Sequence, residues 1–359
     1  MQGVGQLVVT GISGLELTQE ETNFIENEDI GGVILFSQNY ESPEQLAELV
    51  NSIQKLRSEY PLFIMTDHEG GRVIRFKKDF TQFPSMYEIA QLDSPKLLYE
   101  VFNTMALELR ACGINVDLTP CCDIWTNPEN IVIGNRSFGK TAEDVEKFVS
   151  AAIRGLQTNN VMACGKHFPG HGDTLEDSHY DLPVVKSSVD EIKSKELIPF
   201  IKAAKSRVEF MMMGHLMIED LDNECFTTVS PKAYKFLRES TKFKKIIISD
   251  DMEMHAITKN YSTQEAAVLT LEAGADIVEY RSMPMAREAL EGIKAACKVK
   301  RLKNADLQEK LNRVMDTKKR FLSEYSPIYI PDLKAVFNNN KSKQLLQTIH
   351  EQLAQKTIS

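Results

Sequence analysis

Between positions 166 and 179 the chain reads Lys-His-Phe-Pro-Gly-His-Gly-Asp-Thr-Leu-Glu-Asp-Ser-His, which puts three of its seven histidines, two aspartates and a lysine into one short segment. Pro169 lacks an amide donor and Gly170 and Gly172 cost backbone entropy, so a regular helix is excluded there. The apolar run 161–164 leads into the segment and reads as a buried strand, which predicts the cluster on a loop just past a strand end. Within it, Asp177 and His179 are two apart and share a side if the backbone is extended. A carboxylate beside an imidazole fixes its tautomer and raises its proton affinity, which suits a general acid near neutral pH. A zinc site built from His167, His171, Asp173 and His179 is the competing reading. The His-x-x-x-His spacing works from a helical face, however, and Phe168-Pro169-Gly170 prevents a helix. Neither a metal nor another cofactor is therefore expected.

A second acidic cluster, Ser249-Asp250-Asp251-Met252-Glu253, follows the apolar run 246–248. Adjacent strand residues point to opposite faces, so one aspartate should face a site and the other turn away. The inward one suits a nucleophile or a stabiliser of an oxocarbenium-like centre. Parity alone leaves open which of the two it is. Thr66-Asp67-His68-Glu69-Gly70-Gly71-Arg72-Val73-Ile74-Arg75 and Gly134-Asn135-Arg136-Ser137 add polar turns whose charged groups can select sugar hydroxyls by direction. Trp125, the only tryptophan, is either a sugar-stacking ring or a packed rim residue.

The elements that must position these groups alternate along the chain. Short apolar runs near 7–11, 32–36, 63–65, 114–118, 161–164, 210–213, 246–248 and 275–278 read as strands buried on both faces. Helices between them start at Thr18 with Glu21, Ser42-Pro43, Ser94-Pro95, Thr141, Ser188 with Glu191, and Ser262 with Glu265. Pro199 should bend or divide its helix. About eight such units predict a (β/α)8 TIM-type barrel over residues 1–324. Asp67, Asp123, Lys166, His215 and Asp250 all fall at or just past strand carboxyl ends, which converge on one face of a barrel. Leu307, Leu311, Val314 and Met315 give a late helix an apolar face. Residues 325–359 read as a C-terminal extension of a turn region and a short final helix packed on or near the barrel.

Composition narrows the partners. Among 359 residues, 42% are hydrophobic and 26% charged, and the net charge of −9 argues against nucleic acid. Nothing approaches the ~20 apolar residues of a membrane span. Met1-Gln2-Gly3-Val4-Gly5 shows no cationic leader, and the six cysteines lack Cys-x-x-Cys spacing. A cytoplasmic monomer with reduced thiols is expected.

Taken in order, these segments resemble glycoside hydrolase family 3, in its branch of single-domain bacterial β-N-acetylhexosaminidases of peptidoglycan recycling, over roughly residues 5 to 320. The Lys-His-Phe-Pro-Gly-His-Gly…Asp-Ser-His run carries the resemblance, and the Asp-x-Glu-Gly-Gly-Arg-Val-x-Arg-Phe and Ser-Asp-Asp-x-x-Met segments agree with it. The resemblance implies Asp250 as nucleophile and His179 as acid/base held by Asp177. It assigns Asp67, Arg75, Arg136, Lys166 and His167 to an N-acetylglucosamine subsite. The implied reaction is retaining removal of terminal β-linked N-acetylglucosamine from a small carbohydrate or muropeptide. A phosphorylase, a metal-dependent barrel hydrolase and a non-catalytic sugar-binding protein are the alternatives. His68 departs from the glutamine common in the family and would add a titratable group near the subsite.

Overall fold

The structure is a computed structural model that describes residues 3–174, 182–323, 325–337 and 339–358. Eight parallel strands close into a barrel: β1 Val8–Gly11, β2 Gly32–Ile34, β3 Phe63–Thr66, β4 Val116–Asp117, β5 Met162–Phe168, β7 Phe210–Met213, β9 Ile246–Asp251 and β10 Ile277–Tyr280. Two further strands, β6 Val184–Val185 and β8 Met217–Ile218, pair in parallel outside it. The barrel order β1-β2-β3-β4-β5-β7-β9-β10 closes through the β1–β10 pair, with Val8 opposite Val278. The expected (β/α)8 architecture is therefore present. Every residue of β1, β2, β3, β7 and β10 is buried, because helices cover the outside and packed side chains fill the inside. Phe63 and Phe210 meet edge to face across that interior, with ring centroids 5.2 Å apart.

The helices start where their caps place them. Ser42 accepts from the Gln45 amide ahead of Pro43–Lys55, and Ser94 from Leu97 ahead of Pro95–Ala111. Thr18/Glu21 and Ser188/Glu191 form full capping boxes. The helix after Ser188 is divided, though the break precedes the proline. It stops at Ser194 and resumes as Leu197–Lys205, with Pro199 in the first turn of the new helix, where no amide donor is needed. Leu307, Leu311 and Val314 are buried as one face of Asn304–Leu322.

The C-terminal segment differs from the expectation in one respect. Its last helix, Asn340–Ile358, has 19 residues and is not short. Ile349 is buried within the core that includes Leu98 and Phe102 of the helix Pro95–Ala111, while Phe337 meets Phe80 edge to face with ring centroids 5.0 Å apart. Asn51 exchanges two hydrogen bonds with the Ile328 backbone. Among the described residues, no helix is long and apolar enough to cross a membrane.

Candidate active site

A cavity of about 550 Å³ opens at the carboxyl ends of the strands, and Asp67, Arg75, Arg136, Lys166, His167 and Asp250 all line it. The structure thus brings the five expected sugar-binding residues and the expected nucleophile together. Asp177 and His179 lie outside the described residues. The chain leading towards them is tied down. Thr174 Oγ1 lies 2.8 Å from His171 Nδ1, and Asn130 donates to the His171 carbonyl at 2.7 Å. On the far side, the Met217 amide donates to the Pro183 carbonyl next to the small β6–β8 sheet. Gly172 is required here, since a Cβ would stand 1.7 Å from the Ile124 carbonyl oxygen.

One ionic network shapes the wall. Lys166 Nζ is 2.7 Å from Asp67 Oδ1 and 2.6 Å from Glu69 Oε1. Arg75 donates to the other oxygen of Asp67 at 2.9 Å. Arg136 grips Glu69 with two bonds, Nε to Oε2 at 2.9 Å and Nη2 to Oε1 at 2.7 Å. Burial alone would push both acids up, but Lys166 and Arg75 hold Asp67 well below the usual carboxylate range. Arg136 and Lys166 bring Glu69 down to about 2. Burial works against the charge on Lys166 too, and Asp67 with Glu69 overcomes it. Three cations and two carboxylates are thereby locked in place beside the cavity, as rigid donors and acceptors for a polyhydroxylated ligand.

Lys166 and His167 belong to β5 itself, which runs on to Phe168, and this corrects the expectation of a loop immediately after residue 164. The strand continues because its backbone stays paired: the Cys122 amide donates to the Lys166 carbonyl at 2.6 Å, and Phe168 registers with Met213. His167 Nδ1 stands 2.8 Å from Asp123 Oδ2, while Asp123 also accepts the His167 and His171 amides. Burial opposes ionisation of Asp123, yet His167 and His171 keep it far below its ordinary value. Asp123 thus sets the His167 tautomer and leaves Nε2 facing the cavity, 3.5 Å from Arg136. His171 is buried, and that burial pushes it down to about 4.

Asp250, the penultimate residue of β9, stands in the cavity wall. Burial would raise its carboxyl, but His167, His215, the Asp251 amide and Lys166 hold it below its ordinary value. Asp251 does not turn away from the cavity as strand parity predicted. It too lines the wall, paired with Arg281 and accepting the Glu253 amide at 2.9 Å. The turn after Asp251 ends the strict alternation, because the strand finishes at this residue. His215 contacts Thr228 Oγ1 at 2.5 Å and the Asp251 carbonyl at 2.9 Å, which braces the same corner.

One other expectation changes, at His68, and the alternative left open at Trp125 is decided. His68 is fully buried against Phe76 and Phe80 and takes no part in the cavity wall, and desolvation drives it down to about 3. Trp125 packs edge to face on Tyr87 at 5.2 Å, with Lys140 over its ring, as a rim residue. Among the described residues, Cys121, Asp123 and His167 bring ligand-type atoms within 4.8 Å of one another. The Asp123 oxygens are already occupied by two amides, the imidazole and the Cys121 thiol. The site residues that sequence reasoning left without a role are Glu69, Asp123 and Arg281. Asp123 gave a signal as an acid beyond a strand end and Glu69 as one of the two acids in the polar turn 66–75, whereas Arg281 gave none.

Residues 2–317 match the Glycosyl hydrolase family 3 N terminal domain. The chain belongs to glycoside hydrolase family 3. Within that family it is 35% identical over 294 residues to the beta-hexosaminidase of Methylobacillus flagellatus, covering 80% of this chain and 84% of that one. A family 3 β-N-acetylglucosaminidase from Paenibacillus superposes with a TM-score of 0.90 at 33% identity, over 97% of this chain and 68% of that one. NagZ from Neisseria gonorrhoeae, solved in complex with N-trifluoroacetyl-D-glucosamine, superposes with a TM-score of 0.79 at 30% identity, over 97% and 98% of the two chains. This family 3 chain is a glycoside hydrolase of the β-hexosaminidase type.

Proposed function

We propose that the chain is a cytoplasmic, monomeric, retaining exo-β-N-acetylglucosaminidase that removes terminal non-reducing N-acetylglucosamine from peptidoglycan-derived muropeptides. Asp67, Arg75, Arg136, Lys166 and His167 hold the sugar, and Asp250 attacks its anomeric carbon. As the new C1–O bond to Asp250 forms, the glycosidic C1–O bond breaks, and the leaving oxygen takes a proton from His179, which Asp177 orients. Water then attacks C1, His179 takes its proton, and the bond to Asp250 breaks to release the sugar with its configuration retained. The observation that carries this reading is the Asp250 carboxyl, held below its ordinary value by His167 and His215 against its burial, in the same cavity wall as the Asp67–Lys166–Glu69 network. The N-acetylglucosamine analogue bound by the gonococcal relative supports the choice of sugar.

A 5-fluoro N-acetylglucosaminyl fluoride, which slows the second step, should leave a glycosyl adduct on the peptide containing Asp250. Asp250→Asn should lower kcat on an aryl β-N-acetylglucosaminide by roughly 10³-fold or more. An adduct on another residue, or turnover by Asp250→Asn near the wild-type rate, overturns the assignment. Release of sugar 1-phosphate in phosphate buffer would replace hydrolysis with phosphorolysis. Faster cleavage of N-acetylglucosaminyl-anhydro-N-acetylmuramyl peptides than of chitobiose tests the muropeptide preference.

A further inference from the structure

Strand β10 contributes a carboxyl group to which neither the ionic network nor the proposed reaction gives a task. Glu279 is 3% exposed and lines the same cavity as Asp67, Lys166 and Asp250. Its neighbour Tyr280 reaches outward to the Thr263 carbonyl on the covering helix Thr263–Ala273, so strand alternation turns Glu279 into the barrel mouth. Its backbone is fully used, with the amide donating to Ser249 Oγ at 3.0 Å and the carbonyl accepting the Met252 amide at 3.0 Å. The carboxyl, by contrast, leaves Oε2 buried without any hydrogen-bond partner. Other acids in this wall have cationic or amide partners: Asp67 and Glu69 through Lys166, Asp250 through the Asp251 amide, Asp251 through Arg281.

An unpartnered buried carboxyl is destabilising, and it is tolerated where a ligand supplies the missing partner. We infer that Glu279 is a substrate-contacting, specificity-determining residue whose carboxyl hydrogen-bonds one hydroxyl of the N-acetylglucosamine ring in this cavity. This rests on the sugar subsite argued above. The charges around it favour that role. Burial, then Asp67, Asp251 and Asp250, push the carboxyl well above its ordinary value, with Lys166 opposing. A protonated carboxyl offers one donor and a free acceptor, matching a sugar hydroxyl that does the same. It also adds no negative charge beside a carboxylate that must attack. A site that hydrogen-bonds a particular hydroxyl discriminates strongly against the analogue lacking it, since its own polar atom is then left unpaired.

The test compares wild type, Glu279→Gln and Glu279→Leu on an aryl β-N-acetylglucosaminide and on its 3-, 4- and 6-deoxy analogues. On the parent substrate, Glu279→Leu should lose about 10-fold in kcat/KM, and Glu279→Gln, which keeps a donor and an acceptor, should recover most of that loss. For one of the deoxy analogues the wild type and Glu279→Leu should become equal, while the other two keep the full ratio. A loss of the same size on every analogue would make Glu279 a packing residue and overturn the inference. Should the leucine variant fail to fold, wild-type crystals soaked with N-acetylglucosamine decide. A carboxyl oxygen within hydrogen-bond distance of a ring hydroxyl supports the role, and one out of reach of every hydroxyl overturns it. Parallel assay of Asp250→Asn separates this result from the catalytic assignment, because full activity there would sink that reading whatever Glu279 does.

Discussion

Asp123 Oδ2 lies 2.8 Å from His167 Nδ1, on a carboxylate that also accepts the backbone amides of His167 and His171. A single acid from the segment after β4 therefore fixes both the β5 backbone and the imidazole that faces the sugar cavity. Asp123→Asn keeps one oxygen for the amides but removes the charge that holds the ring. Loss of one charge-assisted bond of this kind, about 1.5–3 kcal/mol, should lower kcat/KM by roughly 10–10²-fold. Steady-state rates on an aryl β-N-acetylglucosaminide check it, and a change within twofold would show that His167 needs no such support.

Glu69 bridges Arg136 and Lys166 in a buried setting, and its carboxyl is brought to about 2, against an ordinary 4.5. The stabilisation from its ionisation is complete above about pH 4.5 and is lost as pH falls towards 2. Glu69→Gln leaves two cations undercompensated and should destabilise the protein by about 3 kcal/mol at neutral pH. The gap between variant and wild type should narrow as the pH is lowered below 4.5. Urea midpoints at several pH values measure this. A gap that stays constant down to acid unfolding would mean Glu69 acts through packing and not through its charge.

The strand ends that build the site were legible because each is an apolar run followed at once by a polar residue, as at Met65-Thr66-Asp67 and Ile248-Ser249-Asp250. Barrel topology then forces those ends onto one face. Pairings across the barrel were not legible. Glu69 with Lys166, and Asp123 with His167, join the segments after β3 and β4 to β5, and no local pattern records that juxtaposition. His68 misled because sequence places it beside Asp67, whereas its side chain falls among Phe76 and Phe80. Lys166 read as loop because Pro169 and the glycines follow so closely, yet pairing with β7 carries the strand to Phe168. The final helix read as short because Asn338-Asn339-Asn340 resembles a turn, although Asn340 is its first residue.

The position of Asp250 in its titration depends on its neighbours. Burial pushes its carboxyl up, and His167 leads the groups that pull it below its ordinary value. His167→Gln removes that pull, so the carboxyl should titrate at a higher pH. Under the proposed mechanism Asp250 must be ionised to attack, so the acidic limb of kcat/KM should move to higher pH in the variant. Profiles on a reactive aryl glycoside, whose departure needs little protonation, isolate the nucleophile from the acid/base group. An unmoved or lowered limb would show that another group sets it.

Lys318, on the helix Asn304–Leu322, is fully buried, with its ammonium over the Phe63 ring and donating to Gln6 Oε1 at 2.7 Å. Desolvation lowers it to about 7 from 10.5, with Asp29 opposing. In this window the unfolded chain binds a proton that the folded chain does not, so stability from this group rises as pH goes from 7 towards 10.5. Below pH 7 the cost of burying the charge is present in full. Lys318→Met keeps most of the apolar stem and removes the titration. Relative to wild type, the variant should be most favoured at and below pH 7, and that advantage should shrink by several degrees of Tm as the pH rises to about 9.5. Thermal melts of both proteins across this range give the answer, and a Tm difference independent of pH would show that Lys318 stays charged in the fold.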